Sequence, residues 1–341
     1  MKKRRILAIM HKDLVPPESV DGLSAEEMAP WKTEYDVTTA LRSLGHDVRP
    51  LGVGSDLGVL RQALDEYKPH IVFNLLEEFD GEAVLDQNVV SYLELLRVPY
   101  TGCGPRGMLL SRDKALAKQI MTYHRVPVPD FAVFQRGRAV RRPRRLRFPL
   151  FVKSLSEEAS LGIAQASIVD DDEKLAERVR FIHETIGTDA IAETYIEGRE
   201  FYVGILGNQR LLVLPIWELL FTRMPEDVPR IATARVKWNL KYQKERGIKS
   251  AAAEDLPDGA ALQITRICKR IYRGLGLTGY ARIDLRMTAE GRVYVLEANP
   301  NPQLARGEDL ADEAAAAGIP YEALCQRIVK LGLSRSRGSV T

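Results

Sequence analysis

The sequence is poor in the features that mark most specialised protein classes. It has 3 cysteines in 341 residues, Cys103, Cys268 and Cys325, far apart and in no paired motif. An odd, scattered set excludes a disulfide framework and a zinc site, and suits thiols of a reducing compartment. No uncharged apolar run approaches the ~20 residues that a bilayer span needs. The basic start Lys2-Lys3-Arg4-Arg5 leads into an apolar run over 6–10 that is too short for a signal-peptide core, so a cytoplasmic protein is expected. Charge of one sign is missing too: Lys+Arg is 49, Asp+Glu 46 and the net charge +3, leaving no field to gather nucleic acid or membrane. The turn at 11–17 has no glycine, which excludes a dinucleotide fingerprint there. Apolar side chains are present at the ordinary level of 45%, which excludes a disordered chain, and the length suits about two to three domains.

The first hundred residues alternate in period. Strand patterns at 6–10, 47–51 and 71–76 are separated by helical patterns at 33–44, 59–67 and 83–96. Such alternation implies a parallel sheet covered on both faces. The chain changes character near Ser111. A helix over 114–123 and the breaker Val126-Pro127-Val128-Pro129 lead into strand patterns at 131–134, 150–153, 163–169, 190–195, 201–206 and 210–216, with one helix at 173–186. The last region has a helix at 260–275, strands at 280–287 and 293–298, and a helix at 321–331. The expected units are 1–110, 111–192 and 193–332, followed by a short polar tail over 333–341. The stretch 136–147 holds seven arginines in twelve positions. It has no interleaved aromatics for stacking bases, so a solvated loop face is expected over a polyanion contact, and its role stays open.

The densest chemistry lies in Gly279-Tyr280-Ala281-Arg282-Ile283-Asp284-Leu285, a turn at Glu290-Gly291, and Tyr294-Val295-Leu296-Glu297-Ala298-Asn299-Pro300. The strand period of two puts Arg282 with Asp284 and Glu297 with Asn299, so a hairpin could present all four together. Hard oxygen ligands suit Mg²⁺, and an adjacent guanidinium suits a phosphate or a developing oxyanion. Lys153 ends an apolar strand and precedes the small, flexible loop 154–162, a setting in which a lysine and backbone amides can hold phosphates. Glu193 and Glu200 flank a turn, where an acid can accept hydrogen bonds from ribose hydroxyls. A solvated surface role is open for each of these alone.

Taken in order, these pieces resemble the ATP-grasp superfamily, and within it the D-alanine–D-alanine ligase family. The resemblance runs over about residues 70 to 330: Phe73-Asn74-Leu75-Leu76-Glu77 with Gly81-Glu82, Val98-Pro99-Tyr100-Thr101-Gly102, Ser111-Arg112-Asp113-Lys114, then 148–153, 193–200, 234–238 and 275–302. It implies an ATP-grasp fold with an N-terminal doubly wound parallel-sheet domain. It implies Lys114 and Lys153 on ATP phosphates, Glu193 at the adenine, Glu200 at the ribose, Leu296 in the nucleotide-binding set, and Lys237 on a loop that closes over the site. Asp284, Glu297 and Asn299 would hold two Mg²⁺ ions, with Mn²⁺ as an alternative. Arg282 would stabilise a tetrahedral intermediate, and Ser160 would belong to the phosphate-covering loop. The implied activity is an ATP-dependent carboxylate–amine ligase that works through an acylphosphate on amino acids or small carboxylates and amines. Dimerisation through the N-terminal domain is implied as well.

The departures from the family pattern cluster around the substrates. Glu77 stands where the family has histidine, Ala159 where it has the first of two serines, and Trp238 where it has a hydroxylated aromatic residue. The family's N-terminal substrate glutamate has no clear counterpart among Glu26, Glu27 and Glu34. After Asn299, Gln303 replaces a glycine, and Arg306 follows. Glu77, Glu82, Trp238, Gln303 and Arg306 are therefore the substrate-side candidates. A substrate pair other than two D-alanines is the favoured expectation. A D-alanine–D-alanine ligase of cell-wall precursor synthesis and a non-catalytic ATP-binding regulator are the alternatives.

Overall fold

The computed structural model describes residues 2–157, 161–225 and 228–335. Its first sheet is parallel, ordered β2–β1–β3, from β1 (Arg5–His11), β2 (Asp47–Val53) and β3 (Ile71–Asn74). The run Ile6–Met10 is wholly buried because both faces of β1 are covered. Leu7 and Ile9 pack with Leu60 and Leu64 of the helix Gly58–Tyr67, while Ile6, Ala8 and Met10 pack with Val37 and Leu41 of the helix Lys32–Ser43.

Two antiparallel sheets follow. The first contains β4 (Phe131–Phe134), β5 (Leu150–Ser154), β6 (Ile168–Val169) and β7 (Ala190–Thr194) in the order β4–β7–β5–β6. Its core, with Leu150, Val152, Leu175 and Val179, is separate from the rest. The helix Asp172–Phe181 covers it, capped by Asp171, whose side chain accepts a hydrogen bond from the Lys174 amide. The larger sheet runs β11–β10–β8–β12–β13, with β9 beside β8. Its strands are β8 (Arg199–Leu206), β9 (Leu212–Val213), β10 (Trp217–Phe221), β11 (Ile248–Ala252), β12 (Tyr280–Met287) and β13 (Val293–Pro300). The helix Ala260–Gly274 lays Ile264, Ile267 and Ile271 against it, and this core continues into the Leu7 side of the first sheet.

Several elements differ from the sequence pattern. The strand expected at 163–169 shortens to β6 after a 3₁₀ turn at Gln165–Ser167, and that at 210–216 shortens to β9. The helix pattern at 83–96 divides into a 3₁₀ turn, Ala83–Leu85, and a helix, Asp86–Leu95. The last helix, Tyr321–Arg335, passes through the start of the expected tail. Arg335 anchors it by donating to the carbonyl of Gly102 at 2.7 Å and by lying over the Tyr100 ring at 3.9 Å. Residues 336–341 lie outside the described residues. No helix among the described residues is long and apolar enough to cross a membrane.

The β12–β13 hairpin meets the segment that follows the parallel sheet where two backbones touch. Gly279 has φ +72°, and a Cβ there would sit 2.5 Å from the Gly102 carbonyl oxygen. Only glycine meets both demands. Nearby, Asn301 accepts a hydrogen bond from the Cys103 amide at 2.7 Å.

Candidate active site

The β12–β13 register sets the site. Arg282 lies opposite Asn299 and Asp284 opposite Glu297, so the pleat brings all four to one face of the hairpin. A bulge follows directly: Leu285 pairs with Val295, leaving Leu296 as the extra residue. A bulge turns adjacent side chains toward the same side, and Leu296 accordingly lines the cleft beside Glu297. Its carbonyl accepts a hydrogen bond from Lys118 at 2.6 Å.

Charges alternate through this cluster. Arg282 is bidentate on Asp284, with Nε–Oδ1 2.8 Å and Nη2–Oδ2 2.9 Å, and lies over the Tyr202 ring at 4.7 Å. Lys153 stands between two acids, 3.4 Å from Glu193 and 3.5 Å from Glu297. Lys118 approaches Glu193 from below at 3.4 Å. Oε1 of Glu193 is buried with no hydrogen bond, only these two ion-pair contacts. Burial opposes ionisation of Glu297, but Lys153, Lys114, Lys237 and Arg282 outweigh it and hold the carboxyl well below the usual range. Asp284 moves upward because burial, helped by Glu297, exceeds the pull of Arg282. The same burial lowers Lys118 to about 8.

A half-open cleft runs between the two antiparallel sheets, with Lys153, Glu193, Glu200, Lys237, Asp284, Leu296 and Glu297 all in its walls. Phe151, Ile163, Tyr195, Ile196 and Ile231 supply an apolar flank, the usual make-up of a small-molecule site. Lys114 begins the helix Lys114–Tyr123 and donates to the carbonyl of Glu157 at 2.6 Å, so it reaches the root of the 154–162 loop. Lys237 ends the short helix Ala234–Trp238, capped by Thr233. Among the described residues no three acid, histidine or cysteine side chains form a closed metal cage. Two carboxylates and one amide oxygen form the partial, all-oxygen set that suits Mg²⁺, which keeps waters and substrate phosphates as its remaining ligands.

The substrate-side candidates divide. Glu77 is exposed after β3, close enough to Glu34 to act on it. Glu34 is 5% exposed, and burial first, then the Glu77 charge, pushes its carboxyl up to about 7. Glu82 is exposed. Gln303 donates to Thr33 at 3.4 Å, while Arg306 pairs with Glu322 and lies over the Tyr321 ring at 4.1 Å. Both therefore dock on the helices Lys32–Ser43 and Tyr321–Arg335. The structure does not bring them into the cleft. Ser160 and Ala159 lie outside the described residues, as does the side chain of Trp238.

Sequence reasoning missed four members of this neighbourhood. Lys118 is one helical turn from Lys114, a spacing that would have placed both on one face. Arg286 continues the Arg282, Asp284 alternation along β12. Asp309, at the start of the helix Asp309–Ala316, comes within 3.5 Å of Arg282. Tyr202, beneath Arg282, lies in an apolar strand with no signal of its own.

The family model for the D-ala D-ala ligase C-terminus matches residues 120–330. An uncharacterized protein of Sinorhizobium fredii (y4sG) is 31% identical, with 91% of each chain covered. A D-alanine–D-alanine ligase of Bordetella petrii is 33% identical, covering 90% of this chain and 89% of that one. The crystal structure of the Bacillus anthracis D-alanine–D-alanine ligase complexed with ATP superposes with TM-score 0.76 at 22% identity, covering 98% and 99%. That of the VanG D-Ala:D-Ser ligase from Enterococcus faecalis gives TM-score 0.70 at 20% identity, covering 97% and 100%. The fold is thus that of the ATP-grasp ligases, with a parallel-sheet domain ahead of two antiparallel sheets. Within that class the chain belongs to the D-alanine–D-alanine ligase family, which makes it an ATP-dependent carbon–nitrogen ligase.

Proposed function

We propose that the protein joins a carboxylate to an amine at the expense of ATP, on a substrate pair other than two D-alanines. The observation that carries the chemistry is the single cleft holding Lys153, Lys237, Asp284 and Glu297, with Arg282 locked on Asp284. Glu193 lies in the cleft wall, where its carboxylate would accept a hydrogen bond from the amino group of a base. A carboxylate oxygen attacks the γ-phosphorus, the bond to the bridging oxygen of ADP breaks, and an acylphosphate results. Lys114, Lys153 and Lys237 offset charge on the transferring group. Mg²⁺ held by Asp284, Glu297 and Asn299 would add Lewis-acid neutralisation at the phosphates; two ions, or Mn²⁺, fit the same donor chemistry. The amine then attacks the acyl carbon, Arg282 offsets the oxyanion, and phosphate and a proton leave. Because acylphosphates hydrolyse, the segment carrying Lys237 is placed to exclude water.

The acid pair Glu34 and Glu77 supports the reading on substrate choice. The charge of exposed Glu77 acts on buried Glu34, and acids in that region favour an amine or cation over a second carboxylate. The test of the chemistry is Asp284→Asn and Glu297→Gln. Each is expected to cut ADP release by about 10³-fold, as removal of transition-state charge stabilisation does, with thermal melts run alongside because Asp284→Asn takes from buried Arg282 its bidentate partner. Either variant keeping most of its turnover would contradict the metal assignment.

A further inference from the structure

Arg286 is 3% exposed, lines the nucleotide side of the cleft, and has no part in the chemistry above. It faces Glu200 across the β8–β12 ladder and donates to its Oε2 twice, at 3.1 Å from Nε and 2.8 Å from Nη2. Tyr202 donates to the other oxygen at 3.0 Å, so Glu200 is oriented but retains lone pairs for another donor. Nη1 of Arg286 also donates to the Ile196 carbonyl at 2.8 Å, in the connection between β7 and β8 that lines the cleft. Finally, Nη2 reaches the carbonyl of Arg230, in the segment 228–247 that carries Lys237. The opposite wall grips the same segment: Gln165 donates to the Pro229 carbonyl at 3.2 Å, and the Ala234 amide to Ile163 at 3.2 Å.

We infer that Arg286 is a nucleotide-positioning residue and the latch of the covering segment. One planar fork holds the β7–β8 connection, the acid at the sugar end and the backbone of the segment that delivers Lys237, so nucleotide affinity and closure depend on one side chain. This rests on the nucleotide reading of the cleft. Nothing but an arginine spans these acceptors. A methionine of similar length would fill the space and release the segment.

The test uses the full chain, Mg²⁺ and a non-hydrolysable ATP analogue, with Arg286→Met, the double variant Arg286→Met/Glu200→Gln, and Arg286→Lys. The double variant removes the acid that the single one would strand in the interior. Affinity is read by calorimetry, and closure by the rate of tryptic cleavage at Arg230, Arg235 and Lys237. In the wild type the analogue should slow cleavage at these sites. In both methionine variants the nucleotide Kd should rise about tenfold or more, and protection should be lost even at saturation, as expected when a charge-assisted network is removed. kcat at saturating ATP should fall as well as KM rise, because the released segment no longer holds Lys237 over the site. Arg286→Lys should recover part of the affinity but not the protection, since an ammonium lacks the fork. A double variant that folds, binds within about threefold of wild type and keeps the protection would overturn the proposal. Failure of the wild type itself to bind the analogue would instead overturn the nucleotide reading.

Discussion

At the scale of single residues, the most informative group is Glu34, a buried acid on a helix that packs against the segment after Asn299. Its folded pKa of about 7 lies above the unfolded value of 4.5, so the folded chain holds a proton that the unfolded chain has released. The stability from this group is fully present below about pH 4.5 and is lost as pH rises to about 7. Glu34→Gln removes that dependence. Urea unfolding should show the variant gaining on the wild type by about 2–3 kcal/mol between pH 5 and pH 8. A gap that stays constant across this range would mean that Glu34 is ionised throughout. The hairpin residues Arg282, Asp284, Glu297 and Asn299 were legible in the sequence because a period of two is all their arrangement needs. Glu34 was one of three candidates that no local pattern could separate, since its burial is made by the fold. Lys118 and Arg286 were legible in position but not in role. Each is defined by a partner far along the chain, Glu193 and Glu200 respectively.

At the scale of elements, the long apolar strands and the strongly periodic helices followed the sequence, whereas short strands did not. Trp217–Phe221 and Ile248–Ala252 pair with each other and build one side of the larger sheet. Their pattern is weak because the partner ladder, more than side-chain alternation, makes them strands. The bulge at Leu296 was invisible for a similar reason: one extra residue in a ladder leaves no mark on composition. Glycine positions sharpen this point. Gly279→Ala should cost about 2–4 kcal/mol, adding left-handed strain to a clash with the Gly102 carbonyl. Gly291→Ala, at φ +78° in the hairpin turn with nothing within 4 Å, should cost only about 1 kcal/mol. Thermal melts of the two variants decide it. Equal losses would mean that the Gly102–Gly279 contact does not hold the hairpin to the segment that follows the parallel sheet.

For the whole molecule, the division of cores matters most. The parallel sheet and the larger antiparallel sheet share one continuous apolar core, whereas the four-stranded sheet with Lys153 and Glu193 has its own. Separate cores are joined by contacts that can open, and here those contacts surround the cleft: Lys153 to Glu297, Lys118 to Leu296, Gln165 to Pro229. The cleft is thus built between two bodies. The central claim is that the ligase chemistry is retained and the substrate pair changed. Its most direct test is phosphate release from ATP and Mg²⁺ across D- and L-amino acids and simple amines, singly and in pairs, with mass detection of the product. The account predicts stimulation by a pair containing an amine-rich or cationic member, with a new amide formed and little response to D-alanine alone. Full stimulation by D-alanine alone, with its dipeptide as product, would contradict it.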